Sequence, residues 1–329
     1  MIHADRGDRM GDTPTMNPPT TSLSILGAGV IGQVVGARLS ELGVPVWMIA
    51  RGETHTQLAA EGIHMIRGEG VRRQIPVRVT DAMHPWPDTD MLLVTLRRDQ
   101  IGGVRSRLRA WAEGRKSRKV IYFSNVGAIT FELLGGLPSA QVGFAFPGLA
   151  GHRDGDGIVH YDEVAEQPMT VGRGQPGADL LARWFKAAGF KVSVVPDIQG
   201  WLKTHLVFMG LTIYAIDAAG SAVALSEDET AIRTLVQTQR ETLRALEHRG
   251  TALSPTTVKL LLARLPGFAA RRFYQSMLRK RIGQRLMDYL VDSRDEVTVL
   301  GDDIRQLLGD DLPASARNLL EGRHLLRQG

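Results

Sequence analysis

The chain has 329 residues, 43% of them hydrophobic and 23% charged, with 40 basic against 35 acidic side chains for a formal charge of +5. This length and balance exclude a small stapled domain and an extended charged chain, and leave room for a globular protein with more than one core. There is no cysteine, which excludes disulfides, thiolate nucleophiles and cysteine-held metals and fits a reducing compartment; a cytoplasmic location is expected.

Residues 1–20 are polar, rich in Pro, Thr and Asp, and lack the apolar core of a secretory signal; they read as a disordered tail, with Met10 and Met16 as alternative starts. The first apolar run, 22–26, leads into Gly27-Ala28-Gly29-Val30-Ile31-Gly32 and then a segment of helical spacing, 30–42. Strand, glycine turn and helix in that order form the dinucleotide fingerprint. Gly27 permits the tight turn, Gly29 lets backbone approach a pyrophosphate at the helix N-terminus, and Gly32 lets the helix pack closely on the sheet. The second apolar run, 45–50, ends at Arg51 where an NAD-binding chain usually carries an acid. A guanidinium there can fork onto a 2′-phosphate, so NADP(H) is the expected cofactor; a solvated surface arginine is the plainer alternative.

Further strands are expected at 62–66, 73–79, 91–96, 119–123, 141–146, 157–161, 168–172 and 190–195, with helices at 54–61, 99–113, 128–134 and 176–188. This is the rhythm of an α/β doubly wound sheet, and runs such as Met91–Val94 and Val120–Phe123 are apolar throughout, as strands covered on both faces should be. After Pro196 no convincing strand follows. Helical periods run through 198–224, 227–249, 255–264, 267–307 with breaks, and 313–326; Ser226 with Glu229 suggests a capping box, and Ser254-Pro255 a helix start. The expected division is a dinucleotide-binding domain at 21–195 and a helical substrate or dimerisation domain at 196–329. Leu206–Leu225 is the most membrane-like stretch, but Asp217, Gly210, Gly220 and Ser221 interrupt it, so a buried helix is expected rather than a span.

Basic patches at 105–118 and 271–285 fit solvated helix faces and attraction for a phosphorylated cofactor better than nucleic acid, for which no reading element is evident. No cluster has metal-ligand spacing, and Asp154-Gly155-Asp156-Gly157 reads as a hairpin turn rather than a calcium loop. The expected partner is a small molecule, with no nucleic acid and no membrane; the apolar helices of the second half are also candidates for a homodimer face.

Segments in chain order resemble the ketopantoate reductase (2-dehydropantoate 2-reductase) family: the Gly27–Gly32 turn with Arg51; Asp90–Arg97, with Arg97 where the family has lysine; Phe123-Ser124-Asn125-Val126-Gly127, similar to the family's His-Asn-Gly turn; Gly200-Trp201-Leu202-Lys203, similar to the start of its first helical segment; and, more loosely, Arg294-Asp295-Glu296-Val297. The resemblance implies a Rossmann-type sheet followed by an all-α domain of the 6-phosphogluconate dehydrogenase C-terminal-like kind. It implies Lys203 as the group that donates to the substrate carbonyl, with Asn125 and Glu296 beside substrate and cofactor. It also implies Leu96, Arg97, Asn125 and Gly151 as cofactor neighbours together with the glycine turn and Arg51. An ammonium at the carbonyl oxygen stabilises the charge that develops there. Each residue has a plainer alternative: Lys203 as a lysine that snorkels from a helical turn, Asn125 as a turn asparagine, and Glu296 as a carboxylate on a solvated face. His205 lies about 200° round a helix from Lys203 and is expected to be a packed histidine.

Four and eight residues after the lysine the family carries asparagines that hold substrate; this chain has Val207 and Leu211. The expectation is therefore an NADPH-dependent reductase of a keto or imino carbon whose substrate differs from ketopantoate and is more apolar. Ketopantoate reduction itself, a non-catalytic NADP(H)-binding sensor or scaffold, and a methyltransferase are the alternatives, the last disfavoured by the glycine spacing and Arg51.

Overall fold

A computed structural model describes residues 20–127, 136–165, 167–255, 258 and 266–322. The tail, apart from Thr20, and the helices expected at 128–134 and 255–264 lie essentially outside the described residues. The strands are β1 (Leu23–Leu26), β2 (Val46–Ala50), β3 (Ile63–Arg67), β4 (Arg73–Ile75), β5 (Arg78–Asp81), β6 (Met91–Val94), β7 (Lys119–Phe123), β8 (Val142–Phe146), β9 (Leu149–Arg153), β10 (Val159–Glu163), β11 (Met169–Gly172) and β12 (Val192–Val195). The helices of the first half are α1 (Val30–Glu41), α2 (Gly52–Glu61), α3 (Arg105–Glu113) and α4 (Ala178–Ala187).

Eight strands form one sheet in the order β12-β11-β8-β7-β6-β1-β2-β5, parallel except between β8 and β11. Both faces are covered. Leu23, Ile25, Met91 and Leu93 enter one core with α1 and α4, whereas Leu26, Leu92 and Val94 enter another with Leu108 and Trp111 of α3. The strand order reverses between β1 and β6, so the crevice that doubly wound sheets use for ligands opens at Gly27 and Thr95.

The run expected as one strand at 73–79 is two, split at Pro76-Val77: β4 joins a second sheet, β4-β3-β10-β9, and β5 the first. That second sheet includes β9, which the sequence did not suggest because only the start of 149–153 is apolar and buried. The Asp154–Gly157 segment turns the β9–β10 hairpin: Asp154 Oδ1 accepts from the Asp156 and Ile158 amides at 3.1 and 2.8 Å, and Gly157 has φ +76°.

The second half is helical throughout its described residues: α5 (Ile198–Ala219), α6 (Ala222–Glu227), α7 (Glu229–His248), α8 (Gly267–Leu278), α9 (Arg281–Asp292), α10 (Arg294–Leu308) and α11 (Ala314–Leu320). Asp197 caps α5 by accepting from the Gly200 amide at 2.9 Å, and Gly220 at φ +80° ends it, four residues before the expected boundary. Ser226 is not the cap of α7. It ends α6, donating to the Val223 carbonyl, and Asp228 caps α7 by accepting from the Ala231 amide. No helix among the described residues is long and apolar enough to cross a membrane. The two halves are joined by Ile198, Trp201 and Leu202 of α5, which complete the core behind β7 and β8.

Candidate active site

Three strand ends build the crevice. After β1, Gly27 sits at φ +112°, a conformation side-chain-bearing residues rarely adopt; a β-carbon there would stand 2.8 Å from Thr95 Oγ1 and 3.1 Å from the Leu96 amide. A β-carbon on Gly32 would run into the Gly27 carbonyl oxygen and lie 2.7 Å from Thr95 Oγ1. By contrast, a β-carbon on Gly29 meets nothing within 4 Å. Gly29 is the N-cap of α1 and supplies no side chain, so the first amides of that helix, beside Val30 and Ile31, face open space. Thr95 ties the crevice together, donating to the Gly27 and Leu26 carbonyls at 2.8 and 3.2 Å. Its role escaped the sequence reading, although a hydroxyl closing an apolar strand at the reversal point was a usable signal.

Arg51, exposed, is the N-cap residue of α2 at the end of β2. The β9–β10 hairpin reaches the same helix, with Arg153 Nη1 donating to Thr54 Oγ1 at 2.8 Å and Gln57 Nε2 to the Asp156 carbonyl at 2.9 Å. Gly151 lies within β9 opposite Tyr161, where a β-carbon would collide with the His160 carbonyl. Strand pairing by itself accounts for that glycine.

After β7, Asn125 presents a buried Oδ1 with no hydrogen-bond partner among the described residues, as does the neighbouring Ser124 Oγ. Buried acceptors are rarely left unpaired, which makes this amide stand out at the strand end. Gly127 then passes so close to α5 that a β-carbon would stand 2.6 Å from the Leu202 carbonyl oxygen and 2.9 Å from Leu206 Cβ. This close approach brings the Asn125 turn to the helical turn that carries Lys203, and the bare glycine is what allows it. Lys203 is half-buried and has no ion pair or side-chain hydrogen bond among the described residues. His205 stacks on Trp201, with ring centres 5.0 Å apart, and packs tilted against Phe146 at 4.4 Å; burial lowers its pKa to about 4, so the imidazole is neutral near pH 7.

The third cluster lies between the β6 end and the helical half. Arg97 forks onto Asp99, Nε and Nη2 reaching the two carboxylate oxygens at 3.2 and 3.1 Å. Arg98 is not solvated: it is 7% exposed, and its fork meets Asp303 at 2.7 and 2.8 Å. Glu296, on the first turn of α10, accepts from the Arg98 amide at 3.1 Å and from the Tyr289 hydroxyl. It is 4% exposed, so it does not occupy a solvated helix face. Burial raises its pKa against those two donors, and burial likewise keeps Tyr289 protonated as a donor. Asp99, Tyr289 and Asp303 had no local signal; Arg98 and Asp303 are 205 positions apart and only the fold pairs them.

Val207 and Leu211 are fully buried in the helical core, each 0% exposed. They do not line an open pocket. Without amides to serve a polar ligand, both positions are closed by packing against neighbouring helices.

Residues 23–175 match the family model of ketopantoate reductase PanE/ApbA. Over that segment, a little under half of its length, the chain is similar to that family. No curated protein matches the chain in sequence. Among solved structures it is similar to D-mandelate dehydrogenase in complex with NADH and anilino(oxo)acetate (TM-score 0.68, 14% identity, 92% of this chain and 96% of that one). It is also similar to 2-dehydropantoate 2-reductase from Geobacter metallireducens GS-15 (TM-score 0.62, 15% identity, 92% and 99%). A third is the PanE/ApbA family ketopantoate reductase from Ralstonia eutropha JMP134 (TM-score 0.58, 18% identity, 89% and 100%). At these identities the structures establish a shared fold, a Rossmann-type sheet followed by a helical half that spans nearly the whole chain.

Proposed function

We propose that this protein is an NADPH-dependent reductase that delivers hydride to a keto or imino carbon of a small molecule other than ketopantoate, with residues 21–195 holding the cofactor and 196–329 completing the substrate site. The observation that carries the reading is the approach of Gly127 to Leu202, which joins the unpaired Asn125 amide of the sheet edge to the turn bearing Lys203. The crevice residues fit a nicotinamide dinucleotide. The space over Gly29 and the uncapped α1 receive a pyrophosphate, Arg51 suits a 2′-phosphate, and Asn125 offers a donor and an acceptor to a ribose or carboxamide. The cofactor supplies hydride when bound. Lys203 Nζ donates to the carbonyl oxygen as negative charge builds on it, and leaves its proton there; a dry site strengthens that contact. Glu296, closed over by Arg98 and Tyr289, holds the Arg97 loop and takes no part in proton transfer.

Substrate-dependent NADPH oxidation, screened over keto acids, ketones and imines, tests the activity. Lys203→Ala should lower turnover by at least ~10²-fold with NADPH affinity nearly unchanged, and Arg51→Asp should shift preference toward NADH. Full activity in Lys203→Ala would refute the assignment.

A further inference from the structure

We propose that the groove between the outer side of α7 and the start of α8 binds a small molecule carrying two or more linked phosphate groups. The groove lies on the helical half and shares no lining residue with the dinucleotide crevice, so this site stands apart from the reductase reading.

The cavity measures about 320 Å³, within the range of small-ligand sites. Four guanidiniums line it: Arg233, Arg240 and Arg244 from α7 and Arg271 from α8. Steps of seven and four residues bring the three arginines of α7 to one side of that helix, about 10 and 6 Å apart along its axis. Gly267, at the start of α8, also lines the groove, and a β-carbon there would meet nothing within 4 Å.

The neighbouring carboxylates leave this row of cations underpaired. Glu229 is shared by Arg233 and Arg271, each at 3.4 Å, and its side chain is 60% exposed, so both pairs are weak and readily exchanged. Glu241 lies in the groove, but its two oxygens accept from Gln237 Nε2 at 2.9 Å and from Ser315 Oγ at 2.7 Å. Asp311, in the adjoining hollow, is held by Arg249 at 2.6 Å. Arg244 is exposed and has no hydrogen bond or ion pair among the described residues. Guanidinium forks take phosphate oxygens two at a time. A single phosphate or a compact tricarboxylate reaches only part of a row spread over several turns, whereas a chain of phosphates follows it.

The test is calorimetric titration of the full chain at about 0.15 M salt, where diffuse attraction is screened, with tripolyphosphate, orthophosphate and citrate as probes. Tripolyphosphate should bind at least about tenfold more tightly than either of the others. Arg244→Gln and Arg271→Gln should each weaken it by about tenfold, the loss of one charge-assisted contact. Arg244 is exposed and unpaired among the described residues, so its variant should keep the parent melting temperature. Arg51→Gln and saturation with NADPH, which act at the dinucleotide crevice, should change the tripolyphosphate affinity by less than about twofold. The proposal is overturned if tripolyphosphate does not bind or if the three anions bind alike. It is equally overturned if Arg244→Gln leaves the affinity unchanged, or if Arg51→Gln or NADPH abolishes binding, which would place the anion in the crevice. Tighter binding of hexaglutamate than of tripolyphosphate would also overturn it, pointing to an acidic protein segment instead.

Discussion

The two walls of the cleft are built on opposite plans. The sheet edge is open: Gly29 has nothing within 4 Å of its β-carbon position, α1 has no side-chain cap, and Asn125 Oδ1 has no partner among the described residues. The wall between the β6 end and the helical half is closed, with Arg97, Arg98 and Glu296 each paired to a neighbour and Val207 and Leu211 sealed in the helical core. The two walls therefore differ in how many polar groups stay unpaired among the described residues.

The largest expected effect lies on the closed wall. Asp303→Ala leaves the Arg98 guanidinium buried and unpaired and should cost about 3–5 kcal/mol in urea unfolding, with Arg98→Met plus Asp303→Leu recovering most of it. A cost under about 1 kcal/mol would mean that water reaches the pair and the wall is not closed.

On the open wall, stability and binding should separate. Gly32→Ala drives a methyl into the Gly27 carbonyl, and backbone cannot yield cheaply, so a loss of about 2–3 kcal/mol is expected together with loss of NADPH binding. Gly29→Ala has room in the empty protein and should leave the melting temperature almost unchanged while weakening NADPH about tenfold or more, because the methyl enters the space reserved for the pyrophosphate. Equal NADPH affinity in Gly29→Ala and the parent would show that the cofactor lies elsewhere.

The smallest effect is a pH slope. Burial raises the folded-state pKa of Glu296 above its ordinary value of 4.5, so the folded protein holds that proton more tightly than the unfolded chain does. The contribution is favourable below 4.5 and is lost as pH rises through the folded value. Glu296→Gln keeps an acceptor for Arg98 and Tyr289 without titrating, so its stability relative to the parent should climb between pH 4 and 8. A relative stability that falls over that range would show that the carboxylate is held ionised by its donors.

Much of the first wall was legible in the chain, because its signals are local. A glycine turn between an apolar strand and a helix, an arginine closing the next strand, and asparagine followed by Val126-Gly127 each report a backbone geometry set within a few residues. The second sheet was less so: β9 joins it through main-chain bonds to β10, and its exposed polar residues show no alternation of their own. Helix ends were misjudged by a few residues where a competing cap won, as Asp228 did over Ser226.

By itself the sequence determined the fold class, the order of sheet and helices, the dinucleotide crevice and the residues along its edge, since hydrophobic period and turn chemistry act over short spans. Only the tertiary structure decided that Arg98 is paired with Asp303, that Arg98 and Glu296 are buried, and that Val207 and Leu211 are closed to solvent. Those properties depend on which distant segment packs against which, as Arg98 with Asp303 shows. Burial and pairing across such separations set whether a charge is available to a ligand, and no spacing within the chain encodes that directly.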